Sequence, residues 1–387
     1  MSRIKNSFAA LAILISSALP ALAFQTAAES VVVLDELSNI VLIGKNADMP
    51  LPPASMSKLM TLYMVFEALD SGRLSLQDQL PVSKEAVAYR GSTMYLQTSD
   101  RVSVEDLIRG VVVLSGNDAS AVLAEALSPD GTEAGFAALM NQRAKEIGLT
   151  SSNFANSNGW PHPLHRMSAR DLAVLASKII NEFPIFYRYF SETEFDFRSR
   201  APDNRFNRNP LLKLGIGVDG LKTGYTQAAG YGLTGSAVRD DRRVIFVISG
   251  LSSAEERARE SEKLVNWYFL QFTGKTLFEP NETILEVPVF MGSKSRIPVS
   301  SPEGVRVSVP LTARGGVKAE AVYPRSVEAP ISKGQIVGEL ILDIPGVEES
   351  PRFTLHATED VERGGIGTRI KTAAILLFER FILNAVN

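Results

Sequence analysis

Apolar and polar residues follow two different periods along this chain, and the change from one to the other divides it. Residues 30–43, SVVVLDELSNIVLI, hold two β-rich runs on either side of an Asp-Glu-Leu-Ser-Asn turn, the pattern of a hairpin. The spacing then becomes helical over Met56–Asp70, Ser103–Leu114, Ala119–Ala126, Glu133–Ile147 and Ala169–Phe183, with Gly148 and Pro184 closing the last two. Strand patterns return at Tyr231–Ala237 and Arg243–Ser249, across the polar turn Arg239-Asp240-Asp241. A long helix is predicted from Ser253 to Phe272, acidic at its start and striped by Trp267, Tyr268, Phe269 and Phe272. Strands at both ends of a helical middle predict one domain, 24–272, with its sheet closed by both of its termini.

Over 273–360 the texture changes. Short β-rich segments, among them Thr283–Val287, Arg306–Val309, Ala319–Tyr323, Glu339–Leu342 and Phe353–His356, alternate with Pro, Gly and Ser turns. Several short strands without a helix predict a small all-β second domain. It carries no catalytic constellation and reads as a spacer or docking module.

The two ends read differently from both domains. Residues 1–23, MSRIKNSFAALAILISSALPALA, combine a basic start, a short apolar stretch and an Ala-Leu-Ala cleavage site, which predicts a cleaved secretory signal. Residues 364–387 open on Gly364-Gly365 and continue in helical spacing, with Ile370, Ala374, Leu377, Phe378, Phe381 and Ile382 on one face. The uninterrupted apolar stretch Ala373–Phe378 is far too short to span a bilayer, so this segment is expected to lie on a membrane surface as an amphipathic anchor.

Composition narrows the chemistry. The chain has 387 residues, no Cys and only three His, which excludes a thiol nucleophile, a disulfide scaffold, Cys-ligated zinc and a protein-ligated iron–sulfur cluster. A formal net charge of -3 gives no global attraction to nucleic acid, and no nucleic-acid partner is expected. With His162, His165 and His356 the only histidines and no HExxH motif, no metal site and no cofactor are expected.

The chemistry lies in three short patterns. Ser55-Met56-Ser57-Lys58 opens a helical run, and positions three apart share a helix face, so Ser55 and Lys58 point the same way. A serine hydroxyl is a weak nucleophile until a neighbouring base takes its proton, and a lysine with a depressed pKa can do so. The Ser55 N–H, in the first helical turn, is a natural oxyanion donor. By itself the pattern is weak, since a serine cap with a surface lysine looks the same. Two further patterns change the balance: Ser115-Gly116-Asn117 between two helical stretches, and Lys222-Thr223-Gly224, where Gly220 and Gly224 bracket a short strand.

Three such boxes in this order and at this spacing are the signature of the penicillin-recognising serine acyltransferases. Within them the chain resembles the low-molecular-mass penicillin-binding proteins that act as D-alanyl-D-alanine carboxypeptidases. The resemblance covers nearly the whole chain. It rests on Pro53-Ala54-Ser55-Met56-Ser57-Lys58, on Leu114-Ser115-Gly116-Asn117-Asp118-Ala119 and on Val218-Asp219-Gly220-Leu221-Lys222-Thr223-Gly224-Tyr225-Thr226. Asn156–Gly159, His165–Asp171 and Asn207-Arg208-Asn209 also fit.

The resemblance implies an α+β fold, a β-lactamase/transpeptidase-like domain with a five-stranded antiparallel sheet flanked by helices, followed by the all-β domain. It implies hydrolysis of the terminal D-Ala-D-Ala bond of peptidoglycan stem pentapeptides through a serine acyl-enzyme. It assigns Ser55 as nucleophile, Lys58 as its base and Ser115 as proton shuttle to the leaving amine. Asn117 would hold Lys58 and the substrate amide, while Lys222, Thr223, Gly224 and Arg257 would bind the substrate, the cations taking its terminal carboxylate. The backbone N–H near Tyr225 would complete the oxyanion hole. The implied partners are the stem pentapeptide, β-lactams as acylating inhibitors and a membrane surface, on the periplasmic face of a bacterial inner membrane.

Some stretches depart from the family. Glu192–Asn204 and the Trp160-Pro161-His162-Pro163 turn are unlike the usual sequence, and Tyr225 stands where relatives vary. A D,D-endopeptidase acting on cross-linked peptidoglycan would use the same residues. A class A β-lactamase would need a glutamate in the region that here reads LTSSNFAN (149–156), without an acid; Glu146 is expected on a solvent face. β-Lactams are therefore expected to acylate Ser55 and to leave slowly.

Overall fold

The computed structural model describes residues 24–200, 202–313, 316–347, 349–365 and 367. The signal segment 1–23 and nearly all of the anchor segment 364–387 lie outside the described residues.

The hairpin β1 (Ser30–Asp35) and β2 (Ile40–Lys45) forms one side of a five-stranded antiparallel sheet. The other strands are β3 (Val218–Thr226), β4 (Gly230–Arg239) and β5 (Arg242–Leu251), in the spatial order β2-β1-β5-β4-β3. N- and C-terminal parts of the domain thus meet at the β1–β5 pair, where Val32 stands opposite Val247. The resulting α+β fold is the one expected. Strand side chains alternate faces, and both faces of this sheet are covered. Val31, Val33, Phe246 and Ile248 pack with Leu264, Val265 and Tyr268 of the helix Ala254–Gln271. Val32, Leu34, Ile245 and Val247 face the larger helical core. This explains why Val31–Leu34 form an unbroken apolar run and why β1 is buried at every position.

That larger core is centred on α1 (Lys58–Asp70). Leu59, Met60, Leu62, Tyr63, Val65, Phe66 and Ala68 lie around all sides of this helix and each is fully buried. A helix apolar all round belongs inside a protein. Its N-terminus therefore opens from the interior, and Lys58 is enclosed with it, at 0% exposure.

The second region begins without a linker, since the strand Phe272–Phe278 continues from the helix Ala254–Gln271. It contains a six-stranded sheet and a two-stranded one around Val287, Ile297, Val299, Val305, Leu340, Leu342 and Leu355, with no helix among the described residues. It is anchored to the N-terminal hairpin by a buried polar knot. The Asp35 carboxylate accepts from the Tyr268 hydroxyl and from Ser308 Oγ at 2.7 Å, and from the Ser38 N–H at 2.9 Å. A buried carboxylate needs such a complete set of donors.

Candidate active site

Ser55 lies in a single 3-10 turn, Ala54–Ser57, that leads directly into α1. The expected helix from Met56 is thus a tight turn first and α-helical only from Lys58. Ala54, at φ 49°, turns the chain in the left-handed region. Gly159 backs this turn. A Cβ there would stand 1.9 Å from the Ala54 carbonyl oxygen, so only glycine allows the approach.

Lys58 Nζ donates to three acceptors: Ser55 Oγ at 2.9 Å, Asn117 Oδ1 at 2.7 Å and the Asn158 carbonyl at 2.6 Å. An ammonium has three hydrogens and satisfies all three. A neutral amine keeps two hydrogens and gains one lone pair. Neither Asn117 Oδ1 nor a backbone carbonyl can donate, so the lone pair is left facing the one group that can, the Ser55 hydroxyl. Burial, with the charge of Arg208 as the second cause, lowers the Lys58 pKa from its usual value to about 7, while Asp118 and Glu133 oppose the shift.

Ser115 takes its place through an interruption of the helix. The predicted helix Ser103–Leu114 is α-helical over Val104–Arg109 and widens to a π turn over Gly110–Leu114, a form that often marks functional sites. The chain leaves it at Ser115, whose φ of 61° is unusual for a non-glycine residue. The Gly116 N–H closes the wide turn on the Gly110 carbonyl at 2.9 Å. Ser115 Oγ is buried and lacks a hydrogen-bond partner, an arrangement that normally costs stability and that a bound substrate group would relieve. Asn117, in the first turn of the helix Asn117–Leu127, sends Nδ2 to the Arg90 carbonyl at 2.7 Å, which directs Oδ1 to Lys58. Asp118 accepts from the N–H groups of Met94 and Leu96, fixing the loop in front of the site.

Lys222 and Thr223 lie on β3, which runs from Val218 to Thr226, beyond both bracketing glycines. As the edge strand of the sheet, β3 keeps one row of backbone N–H and C=O groups unpaired, a template for an extended peptide. A Cβ on Gly224 would stand 2.9 Å from the Pro53 carbonyl, so this glycine permits β3 to close on the Ser55 turn. Lys222 is buried, with its nearest acceptor the Thr223 carbonyl at 3.4 Å. Burial first, then the charges of Lys58, Arg208 and Arg257, push its pKa well below the usual value. Arg257 is also buried; its Nη2 reaches the Arg208 carbonyl at 3.2 Å and its Nε lacks a partner. Among the described residues no carboxylate forms an ion pair with Lys222, Arg208 or Arg257. Like charges assembled in this way call for an anion between them.

Sequence reasoning missed three participants. Arg208, to which the sequence motif assigns no role, stands at the rim and donates to Ser92 Oγ at 2.6 Å and to the Leu114 carbonyl at 3.3 Å. Its Asn-Arg-Asn setting was the available signal. Glu133 and Tyr89 gave none. The Glu133 carboxylate accepts from the Ser157 N–H at 2.9 Å, from Ser157 Oγ and from the Tyr89 hydroxyl. It thereby holds the Ser157–Asn158 backbone, whose carbonyl receives Lys58.

The remaining candidates fall elsewhere. His165 Nδ1 accepts from the Ala155 N–H at 3.2 Å, and burial lowers the pKa of its ring to about 4. His356 lies in the second region, bonded to the Gly334 carbonyl. Among the described residues no three His, Cys, Asp or Glu side chains are grouped to hold a metal. Glu146 faces solvent and pairs with Arg143 at 3.0 Å, as its helical spacing implied. The atypical stretch after Glu192 does border the site: Arg200 binds Asp100 at 3.0 Å, and Asn204 Nδ2 reaches the Leu114 carbonyl at 3.3 Å. Tyr225 is 54% exposed and stacks on Tyr231, with ring centroids 4.2 Å apart.

Known proteins resemble this chain in sequence and in fold. A family model described as D-alanyl-D-alanine carboxypeptidase matches residues 16–253, and one described as penicillin-binding protein 5, C-terminal domain, matches residues 272–363. D-alanyl-D-alanine carboxypeptidase DacC of Escherichia coli is 37% identical over 361 residues, 90% of this chain and 88% of its own length. The crystal structure of penicillin-binding protein 5 from Haemophilus influenzae superposes with a TM-score of 0.80 at 33% identity, covering 88% of this chain and 99% of that one. Penicillin-binding protein D2 of Listeria monocytogenes in its ampicillin-bound form has a TM-score of 0.58 at 31% identity, covering 64% of this chain and 99% of that one.

Proposed function

Since the chain belongs to the D-alanyl-D-alanine carboxypeptidase family, we propose that it removes the terminal D-alanine of peptidoglycan stem pentapeptides through an acyl-enzyme on Ser55. The observation that carries the reading is the Lys58 amine, whose two carbonyl acceptors leave its lone pair for the Ser55 hydroxyl. Carboxypeptidase action is favoured over cutting of cross-links by the activity for which relatives such as DacC are named.

The steps follow from the residues. Lys222, Arg257 and Thr223 hold the terminal carboxylate, and the peptide pairs with the free edge of β3. Ser55 Oγ attacks the carbonyl carbon between the two D-alanines as its proton passes to Lys58. The backbone N–H groups of Ser55 and Tyr225 take the oxyanion. Ser115, whose hydroxyl has no other partner, gives its proton to the amine of the leaving D-alanine and takes the one held by Lys58, which returns the lysine to its neutral form. Water then attacks the ester, with Lys58 again as base, and frees Ser55. Penicillins enter the same path as acyl donors. No carboxylate lies in 149–156, and Glu133 is occupied by Tyr89 and Ser157, so the penicilloyl ester meets no glutamate of the kind a class A β-lactamase uses for its hydrolysis.

The purified protein is expected to release D-alanine from a stem pentapeptide and to lose this activity together with formation of a stable penicilloyl adduct on Ser55. Turnover of penicillin at about ten per second, an ordinary enzymatic rate, would instead make it a β-lactamase.

Membership of this family supports action at the cell wall, outside the cytoplasm. Export by residues 1–23 and attachment through 364–387 extend that reading. Among the described residues no helix is long and apolar enough to cross a membrane. Deletion of 364–387 is expected to move the protein from the membrane fraction to the soluble one with D-alanine release unchanged. Retention on the membrane would sink the anchor.

A further inference from the structure

Beside the site lies a cavity of about 260 Å³ to which the reaction itself assigns no occupant. Its walls include Pro53, Trp160, Pro161, Arg166, Thr226 and Ala228. Two of these tie it to the substrate path: Pro53 precedes the Ser55 turn, and Thr226 ends β3. The walls are mostly apolar, with Trp160 42% exposed. The charge is one-sided. Arg166 spends Nη1 on the carbonyls of His162 and His165, at 3.2 and 3.0 Å, which leaves its other donors available. No acidic residue lines the cavity, and among the described residues no carboxylate pairs with Arg166.

The direction of the substrate says what reaches this place. In the proposed reaction the terminal carboxylate lies at Lys222 and Thr223 and the scissile carbonyl at Tyr225. An extended peptide advances about 3.3 Å per residue, in step with the strand it pairs with. The residue before the penultimate D-alanine is therefore level with Thr226–Ala228, at the mouth of the cavity. In a stem peptide that residue carries a long side chain, ending either in an amine or in an amino acid group with its own carboxylate.

We propose that this cavity is the subsite for the third stem residue and that it selects a side chain ending in a carboxylate, as in meso-diaminopimelate, through Arg166. The apolar walls take the methylene stem and Arg166 takes the carboxylate. A lysine side chain brings an uncompensated ammonium to a site with a guanidinium and no acid, and is disfavoured. The inference rests on the carboxypeptidase reading above, because that reading sets the direction of the peptide.

The test compares three pentapeptides identical except at the third residue: meso-diaminopimelate, the same residue with its side-chain carboxylate amidated, and lysine. The first is expected to have a kcat/KM about fivefold above the other two, the size of one partly exposed charge pair. In Arg166→Gln the three are expected to become equal, whatever the overall rate, while Arg166→Lys retains the preference. Arg166 also braces the 162–165 turn, so the readout is the ratio between substrates and not the rate. Equal cleavage of all three by the unaltered protein, or a preference that survives Arg166→Gln, overturns the subsite and leaves the carboxypeptidase reading intact. Acylation of Ser55 by penicillin with none of the peptides cleaved overturns both.

Discussion

Ser55→Ala is expected to fold normally, to form no penicilloyl adduct and to lose D-alanine release by a factor on the order of 10⁴ to 10⁶, the scale seen when a serine nucleophile is deleted. Folding should survive because Ser55 is only half-buried and its hydroxyl contacts one side chain, Lys58. The amine keeps Asn117 and Asn158 as acceptors, so no buried charge is stranded. Circular dichroism and thermal melting check the fold, and mass spectrometry of penicillin-treated protein checks the adduct. Adduct formation in the variant would place the nucleophile on another hydroxyl, and the unpartnered hydroxyls of Ser57 and Ser115 are the candidates.

The second large effect concerns pH. With Lys58 as base in its neutral form, kcat/KM should rise with pH along a single-proton limb that bends near the lysine pKa, about 7. Below that value the ammonium donates to Ser55 and cannot take its proton; above it the lone pair is free. Lys58→Arg has no neutral form in the accessible range, and a loss of at least about 10³-fold at every pH is expected.

The groups that act on the Lys58 charge come from several elements: Arg208 disfavours it, while Asp118 and Glu133 favour it. Glu133 favours the ammonium, so Glu133→Gln should lower the lysine pKa and move the limb to more acid pH. The amide oxygen can still accept from Ser157, and its NH₂ can turn to the Tyr89 oxygen. A purely structural role for Glu133 would depress the alkaline plateau and leave the bend in place. A limb that stays near 7 in this variant excludes the electrostatic role.

Which parts of this protein were legible follows from the range of the forces involved. The hairpin at 30–45 and the pair 230–251 were readable because alternation and a polar turn are local signals. The helix over Ser103–Leu114 was half right. Nothing in Val111-Val112-Val113 distinguishes a π turn from an α turn, and the difference is imposed by Ser115, which must emerge on the site side. Glu133 reads as an ordinary acid in the first turn of a helix, favourable there through the helix dipole. That it also holds the loop behind the lysine depends on Ser157 arriving from another part of the chain.

The three boxes announced their chemistry through residue type and order, and the helical three-residue spacing alone was enough to put Ser55 and Lys58 on one face. Spacing could not say that Lys58 would be enclosed. That depends on α1 being apolar on every side and buried by elements distant in the chain, and burial is the leading cause of the lowered pKa. The convergence of Lys222, Arg208 and Arg257 on one cleft likewise comes from an edge strand, a loop and a helix that meet only through the sheet. Local pattern decides which elements form, because propensity and periodicity act over a few residues. Charge, desolvation and cavity shape act between residues far apart in the chain, and they exist only once the fold has excluded water from between them.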